Sequence, residues 1–216
     1  MPCNVFITGA TGYLGRHVAE ALLTRGHAVR ALVRHGSAGK VPAGCAIVVG
    51  DPFDRRTFTN AVAQGDTFLQ LVGVPRPSPV KAREFVQIDL RSAGESIRAA
   101  LAASAAHFVY VSVAQPAPVM RAYQAARREA EVALRASGLR HTILRPWYVL
   151  GPGHRWPAAL LPFYWMMERI PSTRDAARRL GVVTLPQMVS AVVHAIEHPP
   201  DHSRIVEVPQ IKQLVN

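Results

Sequence analysis

The chain has 216 residues, 49% of them hydrophobic, enough for one domain with a sizeable buried core. Its 25 Lys and Arg against 14 Asp and Glu give a formal charge of +11, which favours an anionic partner: a phosphorylated cofactor, nucleic acid or an acidic membrane surface. The basic residues are scattered, with only the short pairs Arg55-Arg56, Arg127-Arg128 and Arg178-Arg179, and this dispersal argues against nucleic-acid binding.

The first element is a strand over Asn4–Thr8 that runs into a glycine loop, Thr8-Gly9-Ala10-Thr11-Gly12-Tyr13-Leu14-Gly15. A helix with apolar Val18, Leu22 and Leu23 follows over Gly12–Arg25. Strand, G-x-x-G-x-x-G and helix in that order suit a dinucleotide. The helix N-terminus offers unpaired N–H groups and the positive end of its dipole, and glycine lets the backbone approach a pyrophosphate.

A second strand over Ala28–Val33 ends at Arg34, followed by His35, Ser37 and Lys40. An NAD site usually has a carboxylate there for the ribose 2′-hydroxyl, whereas arginine suits a 2′-phosphate. NADP(H) is therefore the preferred cofactor and NAD(H) the second candidate. The third strand, Ala46–Val49, leads to Gly50-Asp51-Pro52. Asp51 can reach an adenine amino group or cap the next helix, expected over Arg55–Ala63, a task that Asp54 suits better.

The fourth strand, Thr67–Leu71, runs into Val72-Gly73, where a small residue lets the backbone pass a cofactor. The loop Pro75–Pro79 borders the ligand crevice, and a long helix is expected over Val80–Ser104. A fifth strand follows over His107–Ser112, then a helix over Val119–Ser137 and a sixth strand over Thr142–Arg145. Further helices are expected within Pro157–Arg169 and over Pro186–His198, with a last strand over Ile205–Val208. Apolar strands alternating with amphipathic helices imply a doubly wound α/β fold of the Rossmann type. Its mostly parallel sheet would have about seven strands, with a small C-terminal lobe over 151–185 inside one domain of 1–216.

Thr8–Gly15, Gly50-Asp51, Phe108–Ser112, Tyr123 and Leu144-Arg145-Pro146, in that order, resemble the short-chain dehydrogenase/reductase superfamily. The similar branch is the atypical or extended one, which includes NmrA-like and complex I accessory-subunit-like NAD(P)H-binding proteins. The resemblance covers nearly the whole chain. It implies that Gly9, Gly12 and Gly15 line the pyrophosphate and that Thr11, Tyr13 and Leu14 also bind the cofactor. It also implies that Arg34 holds the 2′-phosphate, that Asp51 and Pro52 meet the adenine, and that Val72, Gly73, Val111, Pro146 and Val149 flank the rest of the cofactor. Ser112 matches the group that polarises a substrate carbonyl, and Tyr123 matches the catalytic acid. The family's Tyr-x-x-x-Lys reads Tyr123-Gln124-Ala125-Ala126-Arg127 here. Arginine keeps the charge beside Tyr123 and the donors for the cofactor ribose, but it is bulkier and forked. Read alone, Ser112 would be a strand-end hydroxyl and Tyr123 an aromatic packed on the sheet.

The apolar run from Trp156 to Met167 suits a hydrophobic substrate or a partner surface, or simple core packing, and His154 reads as a solvated loop histidine or, second, as a polar contact near the nicotinamide. The expected function is an NADP(H)-dependent oxidoreductase acting on a small, apolar carbonyl or alcohol. The alternative is a non-catalytic NAD(P)H-binding sensor, regulator or assembly factor with a protein partner. A sugar-nucleotide epimerase is a third reading, disfavoured by the short lobe. Cys3 and Cys45 lack metal-ligand spacing, and no metal is expected. Sparse cysteine and a first strand at the very start of the chain suggest a cytoplasmic protein without a leader. No apolar run reaches spanning length, so any membrane association would be weak and peripheral. The resemblance implies either a homodimer formed through the helices Val80–Ser104 and Val119–Ser137 or, as is common in the atypical branch, a monomer.

Overall fold

The computed structural model describes residues 2–153, 166–167, 169–170 and 174–214. Strands β1 (Asn4–Thr8), β2 (Ala28–Val33), β3 (Ala46–Val49), β4 (Thr67–Gln70), β5 (His107–Val111) and β6 (His141–Arg145) form a parallel sheet with Ser203–Glu207. The order is β3-β2-β1-β4-β5-β6 with Ser203–Glu207 at the far edge. A short second sheet pairs β7 (Tyr148–Leu150) with β8 (Val182–Thr184), also parallel, which makes Ser203–Glu207 the ninth strand, β9.

Both faces of the main sheet are covered, as the continuous apolar strands require. Alternation splits β1: Val5 and Ile7 face one layer and Phe6 the other. The first layer packs the sheet against helix α1 (Tyr13–Thr24) through Val18 and Leu22, and against Met188, Val192 and Ile196 of the helix Leu185–Glu197. In the second, register places Phe6 beside Phe68 and Phe68 beside Phe108. Their ring centroids are 5.2 Å apart at each step, a ladder of fully buried aromatics.

The long helix expected over Val80–Ser104 is built in pieces. A short α2 (Ala82–Glu84) passes into a π-helical stretch, Phe85–Leu90, and then into α3 (Arg91–Ala102). The wider π turns carry Asp89 to the interior, where it is fully buried. The helix expected over Arg55–Ala63 is instead two 3₁₀ turns, Arg55–Thr57 and Thr59–Ala61. Thr57 and Thr59 hydroxyls donate at 2.7 Å to the carbonyls of Asp54 and Arg55, competing with regular helical bonding. Asp54 caps this segment by accepting from the Arg56 amide.

Helix α4 covers Arg121–Ala136, α5 Arg174–Arg179 and α6 Leu185–Glu197, with a Thr184/Gln187 capping box on α6. The expected last strand, Ile205–Val208, is found earlier, at Ser203–Glu207. Val208 instead opens helix α7 (Val208–Gln213) behind a Glu207/Gln210 capping box. The helix expected within Pro157–Arg169, His154 and nearly all of the apolar run 156–167 lie outside the described residues. Among the described residues no helix is long and apolar enough to cross a membrane.

Candidate active site

Strand order reverses between β1 and its neighbours β2 and β4, which opens a crevice at the C-terminal ends of these strands. The glycine loop enters there. Gly12 is the N-cap of α1 and has no side-chain cap, so the first-turn N–H groups face outward, with no acidic residue in that turn. Gly9 has φ of +82°, and a Cβ on it would lie 2.8 Å from the Leu71 carbonyl carbon and 2.9 Å from the Val72 nitrogen. A Cβ on Gly15 would overlap the Gly9 carbonyl oxygen. These glycines form a cradle that side chains would fill, which fits a dinucleotide pyrophosphate.

Arg34 ends β2 exposed, and Asp51 follows β3, also exposed. Asp51 Oδ1 accepts from the Phe53 amide at 2.9 Å, and its own amide donates to Thr57 Oγ1, while Pro52 beside it is buried. Thr11 lines a separate open hollow of about 540 Å³ with Arg16, His17, Glu20 and Lys40.

On the other side of β1 lies a more enclosed cavity of about 530 Å³. Tyr13 and Leu14 of the loop, Val111, Ser112, Tyr123, Arg127, Pro146 and Val149 all line it. The structure thus brings the three expected catalytic side chains together with much of the expected cofactor set. Val72 and Gly73 run alongside, and a Cβ on Gly73 would overlap the Arg127 guanidinium.

Arg127 is nearly buried. Its Nη2 stands 2.5 Å from Asp89 Oδ1, with side-chain exposures of 7% and 0%. Nη1 donates to the Val111 carbonyl at 2.8 Å and to Tyr110 Oη at 3.3 Å. The guanidinium carbon lies 5.2 Å from the Tyr123 ring centroid, so the cation sits against the phenol face. Burial disfavours the Arg127 charge, but Tyr110, Tyr123 and Asp89 outweigh it and hold the guanidinium charged. Burial pushes the Asp89 carboxyl up, against the pull of Arg127. Burial raises Tyr110 to about 12. It also raises Tyr123, which Arg127 only partly offsets, so both phenols are protonated at neutral pH.

Ser112 is committed to a second network. Its Oγ donates to Glu131 Oε1 at 2.6 Å. Glu131 is fully buried and also accepts from Gln115 at 2.9 Å, Arg145 at 2.5 and 3.0 Å, and Arg135 at 2.8 Å. Burial pushes the Glu131 carboxyl up, yet the bonds from Arg145 and Ser112 hold it below its ordinary value. Arg145 continues to Glu207 at 2.9 Å.

Asp89 and Glu131 were not read as site residues in the sequence. Glu131 had a signal, since Tyr123, Arg127 and Glu131 recur every four positions on one helix face. Asp89 had only its place as the single acid in Phe85-Val86-Gln87-Ile88-Asp89-Leu90. Among the described residues no cluster of His, Cys, Asp or Glu is arranged to hold a metal.

A parallel sheet of this order, with a glycine-lined helix N-terminus at its switch point, defines a Rossmann-type dinucleotide-binding protein. Residues 9–154 match the NAD(P)H-binding family, and the chain belongs to it. Its likeness to reductases of the atypical short-chain dehydrogenase/reductase branch, implied by the motifs, is borne out by its relatives. It is 33% identical over 153 residues to a ceramide reductase of Caulobacter vibrioides, covering 69% of this chain and 47% of that protein. It is 32% identical over 160 residues to the chloroplastic divinyl chlorophyllide a 8-vinyl-reductase of Oryza sativa subsp. indica, covering 66% and 39%. The matched segments therefore span less than half of these relatives. The fold is shared with the Bordetella bronchiseptica enzyme WbmH bound to NAD+ (TM-score 0.70, 20% identity, 94% of this chain and 75% of that one). MoeE5 with UDP-glucose and NAD is similar in fold (TM-score 0.68, 20% identity, 96% and 79%).

Proposed function

We propose that this chain is an NADP(H)-dependent reductase of a small, apolar carbonyl compound. The observation that carries the reading is the convergence of Tyr123, Arg127 and Ser112 on one cavity with the glycine-loop residues Tyr13 and Leu14. Gly9, Thr11, Gly12 and Gly15 would hold the pyrophosphate, and Pro146, Val149, Val111, Val72 and Gly73 would flank the nicotinamide half. Asp51 and Pro52 would meet the adenine, and Arg34 with Lys40 would meet the 2′-phosphate. Bound NAD(P)H supplies hydride to such a site. Tyr123 Oη, kept protonated by burial, donates its proton to the substrate oxygen. Arg127, fixed by Asp89, stabilises the phenolate left behind, and Ser112 orients the substrate oxygen. Residues 151–185 would shape the substrate lobe within one unit, in a cytoplasmic protein acting as a monomer or homodimer.

The test is NADPH consumption with a panel of apolar ketones and aldehydes. Tyr123→Phe should cut kcat by about a hundredfold or more while leaving NADPH affinity unchanged. Equal rates in the two proteins would remove Tyr123 from the mechanism. Arg34→Asp should weaken NADPH at least tenfold relative to NADH, and an unchanged ratio would refute the 2′-phosphate assignment. A second reading, a non-catalytic NAD(P)H-binding regulator, draws on Ser112. Its hydroxyl donates to Glu131, and in that rotamer the phenol acts on the substrate oxygen without a second donor. NADPH binding without turnover of any substrate would favour it.

A further inference from the structure

The cavity has a chemical bias that the reductase reading does not use. Leu71, Val113, Trp147, Tyr148 and Val149 give it an apolar, partly aromatic wall. No Asp or Glu lines it among the described residues, but two arginines do. Arg127 is consumed by Asp89, the Val111 carbonyl and Tyr110. Arg76 is different. It is exposed at the cavity edge and makes no ion pair or hydrogen bond among the described residues. Its backbone has φ of +51°, in the left-handed region, and it stands between Pro75 and Pro77. Lys81 Nζ donates to the Pro75 carbonyl at 2.8 Å and ties the loop down. Two prolines and that tie restrict the backbone that carries Arg76.

We infer that the substrate is an apolar, aryl-sized carbonyl compound bearing a carboxylate, and that Arg76 is the specificity residue that receives the carboxylate at the cavity mouth. This rests on the reading of the cavity as the substrate site. A neutral apolar ligand would bury its body on Trp147 and leave Arg76 solvated. An anionic one satisfies both the wall and the cation, with no carboxylate among the described lining residues to repel it. The fork of a guanidinium matches a carboxylate in bidentate fashion.

The test is equilibrium binding, read by tryptophan quenching in the presence of saturating NADP+, with 3-benzoylpropionate and its neutral amide as probes. The wild-type protein should bind the acid about tenfold more tightly than the amide, the order expected of one charge-assisted contact. Arg76→Gln should abolish that difference by weakening the acid alone, and Arg76→Lys should restore part of it. NADPH affinity, measured separately by its fluorescence, should be the same in all three proteins. Equal affinity for acid and amide in the wild type, or no binding of either at millimolar concentration, overturns the inference. So does an Arg76→Gln variant that weakens both probes equally or weakens NADPH as much as the acid, since Arg76 would then serve packing or the cofactor. Turnover is not read in this titration. A silent Tyr123→Phe comparison would therefore defeat the reductase reading while the acid preference stood, and the reverse pattern would defeat only the Arg76 assignment.

Discussion

Replacing Asp89 by alanine tests whether the Arg127 guanidinium is held as a buried ion. The two side chains are 0% and 7% exposed, with Nη2 and Oδ1 2.5 Å apart. A guanidinium cannot shed its proton, so removing the carboxylate leaves an uncompensated buried cation. Such a break costs about 3–5 kcal/mol. The bonds from Arg127 to Val111 and Tyr110 survive, which favours the lower part of that range. The Val74 amide, however, loses the acceptor that Asp89 Oδ2 provides at 3.1 Å, worth about 1 kcal/mol more. The expected total is about 4 kcal/mol. With a urea m-value of about 3 kcal/mol/M, the midpoint should fall by about 1.3 M. Urea unfolding followed by circular dichroism and by tryptophan fluorescence measures this, and coincident curves establish the two-state condition it needs. Asp89→Leu combined with Arg127→Met should recover most of the loss, because apolar residues of similar volume replace a buried pair at little cost. A midpoint within about 0.3 M of wild type for Asp89→Ala would refute the reasoning: the guanidinium would have to reach water without its partner.

Burial lowers His107 to about 3 from an ordinary 6.5, and its Nδ1 has no hydrogen-bond partner among the described residues, so the N–H of a protonated ring would be left unpaired there. The folded state therefore refuses a proton that the unfolded chain takes below 6.5. Stability from this group is complete above that pH and falls by about 1.4 kcal/mol per unit as the pH drops from 6.5 towards 3. His107→Gln should remove that slope between pH 6.5 and 5, above the range in which Glu131 is protonated; parallel urea midpoints for the two proteins over this window would disprove it. Gly15→Ala places a Cβ on the Gly9 carbonyl and must displace the loop from α1. NADPH affinity should drop at least tenfold in a fluorescence titration, and wild-type affinity would show that the cradle tolerates a side chain.

The inner strands of the main sheet were legible because each is an apolar run buried on both faces, whereas the edge strands β3 and β9 are largely exposed and the bounds of β9 were displaced. What escaped was decided by contacts distant in sequence. Three-residue strands such as Tyr148–Leu150 are too short to leave a pattern, and they form by pairing with Val182–Thr184 and packing on the core through Val149 and Val183. The π turns at Phe85–Leu90 look like ordinary helix, since what widens them is an Asp89 drawn to an arginine 38 positions on (127 minus 89). Arg127 was visible as a departure from Tyr-x-x-x-Lys, but not the carboxylate that occupies it. Ser112 was visible as a strand-end hydroxyl, and the direction of its proton depends on Glu131 being fully buried below it.

Tyr123, Arg127 and Glu131 stand on successive turns of α4, with burial increasing from the largely buried Tyr123 to the sealed carboxylate. Each charge is matched by a side chain from another element: Arg127 by Asp89, and Glu131 by Arg145. Ser112 directs its hydroxyl hydrogen to Glu131. Of these groups the phenol of Tyr123 is left with a proton to give, and burial holds it above its ordinary value of 10.0. An acid of that kind is fully protonated through the neutral range and poor as a base there. If Tyr123 is the acid, the reduction rate at saturating substrate should stay level from pH 6 to about 9 and decline only as the pH passes 10, while oxidation of the matching alcohol should rise over the same span. A reduction profile that breaks near pH 7 would assign the proton to a different group, and Arg127, which cannot titrate there, would not be it.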